Sequence, residues 1–183
     1  EYECAYPQPV EYKSMTGPIA VYVGTLNIID HELLKNVAHN TPDVNYFIIA
    51  PADHKVLPSS PKNLIYAGHR MPKDVPKYLQ NATIGITPIH KDRWGIVERH
   101  RKLYQYLAAG LLVVSTKGKH ALPTRFVTYV NNAGEFIQSI KDIKAKKYDR
   151  KDVYNYAKNN FSWDSVFSQL DKILELLNVR YRE

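Results

Sequence analysis

The sequence predicts an α/β fold, a mostly parallel sheet of about six strands with helices on both faces. Two patterns carry this reading. Short β-branched runs that are apolar throughout recur along the chain, as strands buried on both faces do. Between them lie segments with apolar residues at helical spacing, the alternation that a parallel sheet with crossover helices requires. The length agrees: 183 residues, 44% hydrophobic and 23% charged, suffice for one full-sized core and are too apolar for disorder.

Residues 1–17 show no convincing period, contain Pro7 and Pro9, and read as a lead-in or linker. The domain is expected over 18–178, with 179–183 as a tail. Ile19-Ala-Val-Tyr-Val-Gly24 is the first strand, ended by a glycine. Asp30 stands where an N-cap would precede a helix with Leu33, Leu34, Val37 and Ala38 at helical spacing. Asn45-Tyr-Phe-Ile-Ile-Ala50, stopped by Pro51, is the second strand, and Asn63-Leu-Ile-Tyr-Ala-Gly68 the third. A short helix over 72–81 turns Val75, Tyr78 and Leu79 inward before a fourth strand over 84–88. A helix over 101–109 ends at Gly110, a residue suited to the left-handed position after a helix. Strands over 111–115 and 126–130 follow, then helices near 133–144 and 149–159. Ser162 can cap a last helix on which Val166, Phe167, Leu170, Ile173, Leu174 and Leu177 form one apolar stripe, away from Asp164, Asp171 and Glu175. That stripe reads as core or as a bridge to another domain.

No apolar run approaches the roughly 18 residues that span a bilayer. The single cysteine, Cys4, excludes an intrachain disulfide framework and a cysteine-based zinc cluster, and favours a reducing, cytoplasmic compartment. The chain begins at Glu1 without a charged-then-apolar leader and is expected to be part of a longer protein. With 25 Lys and Arg against 18 Asp and Glu, the net charge is +7, which serves either solubility or attraction to anions. The basic stretch 141–151 reads as a solvated loop, with a membrane-facing patch as the alternative.

Ligands of a doubly wound sheet bind beyond the carboxyl ends of its strands, which singles out three loops. After the first strand, Gly24-Thr25-Leu26 permits close backbone approach to a ligand, or simply a tight turn. Neither a G-x-G-x-x-G nor a G-x-x-x-x-G-K-[ST] pattern is present, so the dinucleotide and P-loop readings lose their main support. After the third strand come His69 and Arg70, either a satisfied loop histidine and a surface arginine or a pair within reach of an anion. The third is Glu98-Arg-His-Arg-Lys102-Leu-Tyr-Gln105, where Lys102 and Gln105 share a helix face. Arg99, Arg101 and Lys102 at a helix start oppose the macrodipole, a conflict that an anion between them would relieve.

Lys102-Leu-Tyr-Gln-Tyr-Leu-Ala-Ala-Gly-Leu-Leu-Val-Val-Ser-Thr116 resembles the K-L-x-E/Q-Y-x-x-x-G-x-P-V-V segment of GT-B glycosyltransferases. Tyr22-Val-Gly-Thr-Leu-Asn-Ile-Ile-Asp30, Pro42-Asp-Val-Asn-Tyr-Phe-Ile-Ile-Ala50 and Asn63-Leu-Ile-Tyr-Ala-Gly68 are similar to the family's first three strands. Val75-Pro-Lys-Tyr-Leu-Gln-Asn-Ala-Thr-Ile-Gly-Ile-Thr-Pro88 resembles its next helix and strand, and Phe161-Ser-Trp-Asp164 its C-terminal end. The resemblance spans about residues 18–178 and implies the Rossmann-like, nucleotide-sugar-binding C-terminal domain. The K-L-x-Q-Y segment and first loop are most similar to the xanthan-type β-glucuronosyltransferases. On that resemblance Lys102, beside Arg101, would meet the diphosphate of a UDP-sugar and Gln105 the ribose or uracil. Gly24, Thr25 and Leu26 would line the nucleotide site, with His69 near the base.

Where many relatives carry Glu, this chain has Gln105, which accepts through its amide oxygen but carries no charge. The E-x7-E pattern of retaining members is not met, because Glu98 lies seven positions before Gln105, and Leu112 replaces the family's proline. The resemblance further implies an N-terminal acceptor domain, absent from this chain, that carries the general base in inverting members. No metal or cofactor is implied, since no D-x-D pattern occurs and basic groups can stabilise the departing diphosphate. The acceptor would be a polysaccharide, a lipid-linked sugar or a protein, with peripheral contact at the inner face of the membrane. Two other readings stay open: a non-catalytic nucleotide- or phosphate-binding module, and a sugar-nucleotide epimerase. Nucleic acid is not an expected partner, because aromatic and basic residues are not interleaved as a stacking platform requires.

Overall fold

The computed structural model describes residues 2, 5–51, 60–93, 101–118 and 121–180, the side chains of 178–180 excepted. Strands β1 (Ile19–Val23), β2 (Asn45–Ile49), β3 (Leu64–Gly68), β4 (Ile84–Thr87), β5 (Leu112–Thr116) and β6 (Val127–Val130) form one sheet in the order β3-β2-β1-β4-β5-β6. Every ladder is parallel. The helices are α1 (Val10–Lys13), α2 (His31–Asn40), α3 (Val75–Gln80), α4 (Arg101–Ala108), α5 (Ala133–Ala145), α6 (Arg150–Phe161) and α7 (Trp163–Arg180). This is the mostly parallel, helix-flanked Rossmann-like sheet that the apolar runs predict. The strand order reverses direction between β1 and β4, the topological switch point where such sheets open a crevice.

Register shows which helices share a face. Phe47, Val21 and Gly85 lie side by side across β2, β1 and β4. Phe47 stacks on Tyr78 of α3, and Gly85 sits under the Tyr106 ring of α4, so α3 and α4 cover one face. Tyr46, one residue before Phe47 and therefore on the other face, meets Thr41 at the end of α2 at 2.6 Å. Helix α5 packs on α2, and α6 on α4. Tyr22, Phe47, Ile84, Leu103, Tyr106 and Phe136 are fully buried between these layers. Asp30 caps α2 by accepting from the Leu33 amide at 2.9 Å, as its sequence position predicts.

Two segments depart from a simple reading of the sequence. Within the lead-in, α1 is too short to show a period, yet it buries Tyr12 edge-on against Phe47 and Tyr78, with ring centroids 5.0 and 5.7 Å away. At the other end, Ser162 Oγ accepts from the Ser165 amide at 3.1 Å, as expected of the cap. The apolar stripe of α7, however, is not in the core of this chain. Val166, Phe167, Leu170, Ile173, Leu174 and Leu177 are all exposed, and α7 packs chiefly on α6. In the basic stretch, Lys141, Lys146, Lys147 and Lys151 are exposed and Lys144 pairs with Asp43. Arg150 behaves differently, donating to the carbonyls of Ala82 at 2.9 Å and Ala109 at 2.8 Å and so pinning α6 to the domain.

Candidate functional site

The carboxyl end of β1 is where the predicted residues begin to converge. The Gly24 amide donates to the Ile49 carbonyl at 3.0 Å, which holds the β1 exit against β2. A Cβ at Gly24 would lie 2.3 Å from Lys102 Cε, 2.4 Å from its Nζ and 2.8 Å from the Tyr22 hydroxyl. Only a residue without a side chain lets Lys102 lie across this turn, where φ is +155°. Tyr22 points to the α2 face by its register, whereas α4 covers the opposite one. The Lys102 side chain therefore crosses above the carboxyl edge of the sheet.

Lys102 is a partly buried cation with an unusual set of neighbours. Its Nζ donates to the Tyr22 hydroxyl at 3.2 Å and stands 5.0 Å from the centre of that ring. Among the described residues no carboxylate pairs with it. The Tyr22 hydroxyl gives its own proton to the Thr25 carbonyl at 2.9 Å, so its oxygen is free to accept from Lys102. Burial pulls the Lys102 pKa from its ordinary 10.5 to about 8. The result is a partly buried positive charge that meets no carboxylate among the described residues, held against the half-buried backbone of Gly24.

A cleft of about 460 Å³ opens beside this turn. Val23, Ile49, Ala50, Pro72 and Val75 give it apolar walls, and Gly24, Thr25, His69 and Gln105 supply polar groups. Gln105 stands one helical turn after Lys102 on α4, and both it and His69 are exposed. The structure thus brings Gly24, Thr25, His69, Lys102 and Gln105 to one edge of the sheet. Arg101 is exposed at the first position of α4 and does not line the cleft. Leu26 is buried in the core and does not line it either; its carbonyl accepts from His31 Nε2 at 3.0 Å. Glu98 and Arg99 lie outside the described residues.

Arg70 lines the cleft, but its guanidinium is occupied. It donates to Glu11 Oε1 at 2.8 Å, to the Tyr78 hydroxyl at 2.8 Å and to the carbonyls of Ala67 and His69 at 2.6 and 3.0 Å. It ties α1 to the β3 loop and has little donor capacity left for a ligand. Sequence reasoning missed Tyr22, which holds Lys102, and Tyr106, which lies one turn beyond it. The signal for Tyr106 was Gly85, a glycine inside a strand, which marks a close approach by a neighbour.

A larger groove of about 680 Å³ runs along α2 to the start of α5. Its polar groups are paired locally or solvated, as with Lys35 and Glu32 at 3.2 Å, and it holds none of the predicted residues. Among the described residues no group of three or more His, Cys, Asp or Glu could hold a metal, and no helix is long and apolar enough to cross a membrane.

No protein-family profile matches the chain. Over 94 residues it is 31% identical to TuaH of Bacillus subtilis (strain 168), provisionally named a teichuronic acid biosynthesis glycosyltransferase. That match covers 48% of this chain and 23% of TuaH. Among solved structures, the GtfA/B complex superimposes with a TM-score of 0.61 at 9% identity, covering 93% of this chain and 38% of the other. The glycotransferase of kitacinnamycin follows at 0.57 and 10%, covering 93% and 45%. A provisionally named UDP-N-acetylglucosamine 2-epimerase from Listeria monocytogenes gives 0.50 at 11%, covering 97% and 49%. The chain therefore spans less than half the length of each of these proteins. Its fold is GT-B-like, of the kind found in several sugar transferases.

Proposed function

We propose that this chain is the donor-binding domain of a glycosyltransferase that uses a UDP-sugar, with glucuronate as the favoured sugar. The observation that carries the reading is Lys102, a partly buried cation with no carboxylate partner among the described residues, lying on Gly24 at the switch point. A diphosphate would supply the missing negative charge. When the bond to the sugar breaks, charge grows on the β-phosphate, and a cation already in place stabilises it without reorganisation. Arg101 would add charge from the same helix start, and Gly24 and Thr25 would offer backbone to the phosphates, next to Leu26. Gln105 would reach the ribose or uracil, and the base would lie along the apolar walls near His69.

The acceptor would be a polysaccharide or lipid-linked sugar, held by an N-terminal domain outside this chain that also carries the general base. The exposed stripe of α7 suits a contact with that domain. The whole enzyme would work in the cytoplasm, at the inner face of the membrane. Calorimetric titration with UDP, UDP-glucuronate and UDP-glucose tests the proposal. Binding is expected, weakened at least tenfold by Lys102→Ala, and no heat with any of the three would overturn it. Affinity should fall as pH rises through about 8, where the free Lys102 loses its proton. The fold match to an epimerase supports a second reading, and conversion of UDP-N-acetylglucosamine without an acceptor would favour it.

A further inference from the structure

Strands β1 and β4 are the least tightly joined neighbours in the sheet. They pair at Ala20↔Ile84 and Val21↔Gly85 and then part, whereas β1 and β2 stay paired to Val23↔Ile49. The Gly24 amide points to β2, so the preceding Val23 amide points to β4, where it finds no strand partner. The Tyr106 hydroxyl fills that place. It accepts from the Val23 amide at 2.9 Å and donates to the Ile86 carbonyl at 3.3 Å, bridging the strands where the ladder stops. Its ring lies flat on Gly85, where a Cβ would come within 2.8 Å of two ring atoms. Full burial raises the phenol pKa, so the donated proton is retained.

Lys102 stands one turn earlier on the same face of α4. We infer that Tyr106 is a positioning residue: its hydroxyl wedges β1 from β4 and fixes the Val23–Gly24 backbone beneath Lys102, so that the anion site exists before the anion arrives. The inference rests on the proposed diphosphate site. It goes beyond it by assigning the geometry of that site to a side chain that touches no ligand.

The experiment compares wild type, Tyr106→Phe and Leu103→Ala, a fully buried position on the same helix that takes no part in the bridge. UDP binding is measured by calorimetry at 10 °C, with folding checked by near-UV circular dichroism. The apparent pKa of Lys102 is followed by 13C NMR of its Cε. Tyr106→Phe is expected to weaken UDP binding about tenfold and to move the Lys102 pKa back towards 10.5, with Leu103→Ala leaving both near wild type. Unchanged affinity in Tyr106→Phe, or equal losses in both variants, would overturn the inference. If wild type itself binds no UDP, the diphosphate reading fails, and the Lys102 pKa then decides this inference alone: no movement in Tyr106→Phe overturns it.

Discussion

Replacing Lys102 by methionine should make the unliganded protein more stable while removing its affinity for UDP. Methionine keeps the unbranched stem that packs over Gly24 and discards only the charge. A pKa held at about 8 instead of 10.5 by burial corresponds to roughly 3 kcal/mol against the charged form. Relaxation and residual solvent reduce this, so Lys102→Met should gain about 1–3 kcal/mol at pH 7. The sign can be checked by pH. Between about 8 and 10.5 the unfolded chain holds a proton at Lys102 that the folded chain has released, so wild-type stability rises with pH across this window relative to the variant. The advantage of Lys102→Met is therefore complete below about pH 8 and shrinks towards zero near 10.5. Urea unfolding of both proteins at pH 7 and pH 9.5 measures it, and parallel calorimetry measures UDP binding. A variant less stable than wild type at pH 7, or one with the same advantage at both pH values, would refute the reasoning.

The other perturbations probe the surroundings. Gly24→Ala should push the Lys102 side chain out of its seat and strain the backbone at φ +155°, lowering UDP affinity at least tenfold in calorimetry and stability by about 1–3 kcal/mol. Among the described residues, the buried Thr87 hydroxyl has no hydrogen-bond partner. Thr87→Val should therefore raise the urea midpoint by an amount equivalent to about 1 kcal/mol, and a loss of stability would show that the hydroxyl has a partner after all. At Glu11, burial raises the carboxyl pKa. Its own backbone amide, Tyr78 and Arg70 together outweigh that and hold it below the ordinary 4.5. The Glu11 contribution is thus present above pH 4.5 and lost as pH falls through the lowered value. Glu11→Gln should cost about 0.5–1 kcal/mol in urea unfolding at pH 6, and the difference should close in more acidic buffer.

The sheet could be read from the chain because strands buried on both faces leave uninterrupted apolar runs such as Tyr46–Ala50 and Leu111–Val114, with helical spacing between them. Helix α1 could not be read, because four residues carry no period and its place depends on long-range contacts of Tyr12 and Glu11. A stripe on α7 says that one face is apolar, not what it touches, and here it touches no core. At the edge of the sheet, Lys102 and Gly24 could be singled out separately from charge and turn chemistry. Their direct contact depends on the Tyr22 side chain and on the crossing of α4, which no local pattern encodes. Arg70 shows the opposite case: its residue type suggests an anion partner, yet the fold supplies a carboxylate from 59 residues away. Leu26 sits in the right loop, but its side chain is taken by the core.

The order of the strands also bears on how the chain is assembled during synthesis. All five ladders are parallel, so no neighbouring pair can close as a hairpin, and each must wait for its crossover to emerge. The β3-β2-β1 half can form first, yet β1 then presents an open edge until residues 84–87 leave the ribosome. The Val23 amide stays unclaimed longer still, since Tyr106 is made well after β4. The nascent chain thus passes through a stage in which its most central strand is temporarily its most exposed, a window in which pairing with the wrong strand competes with completion.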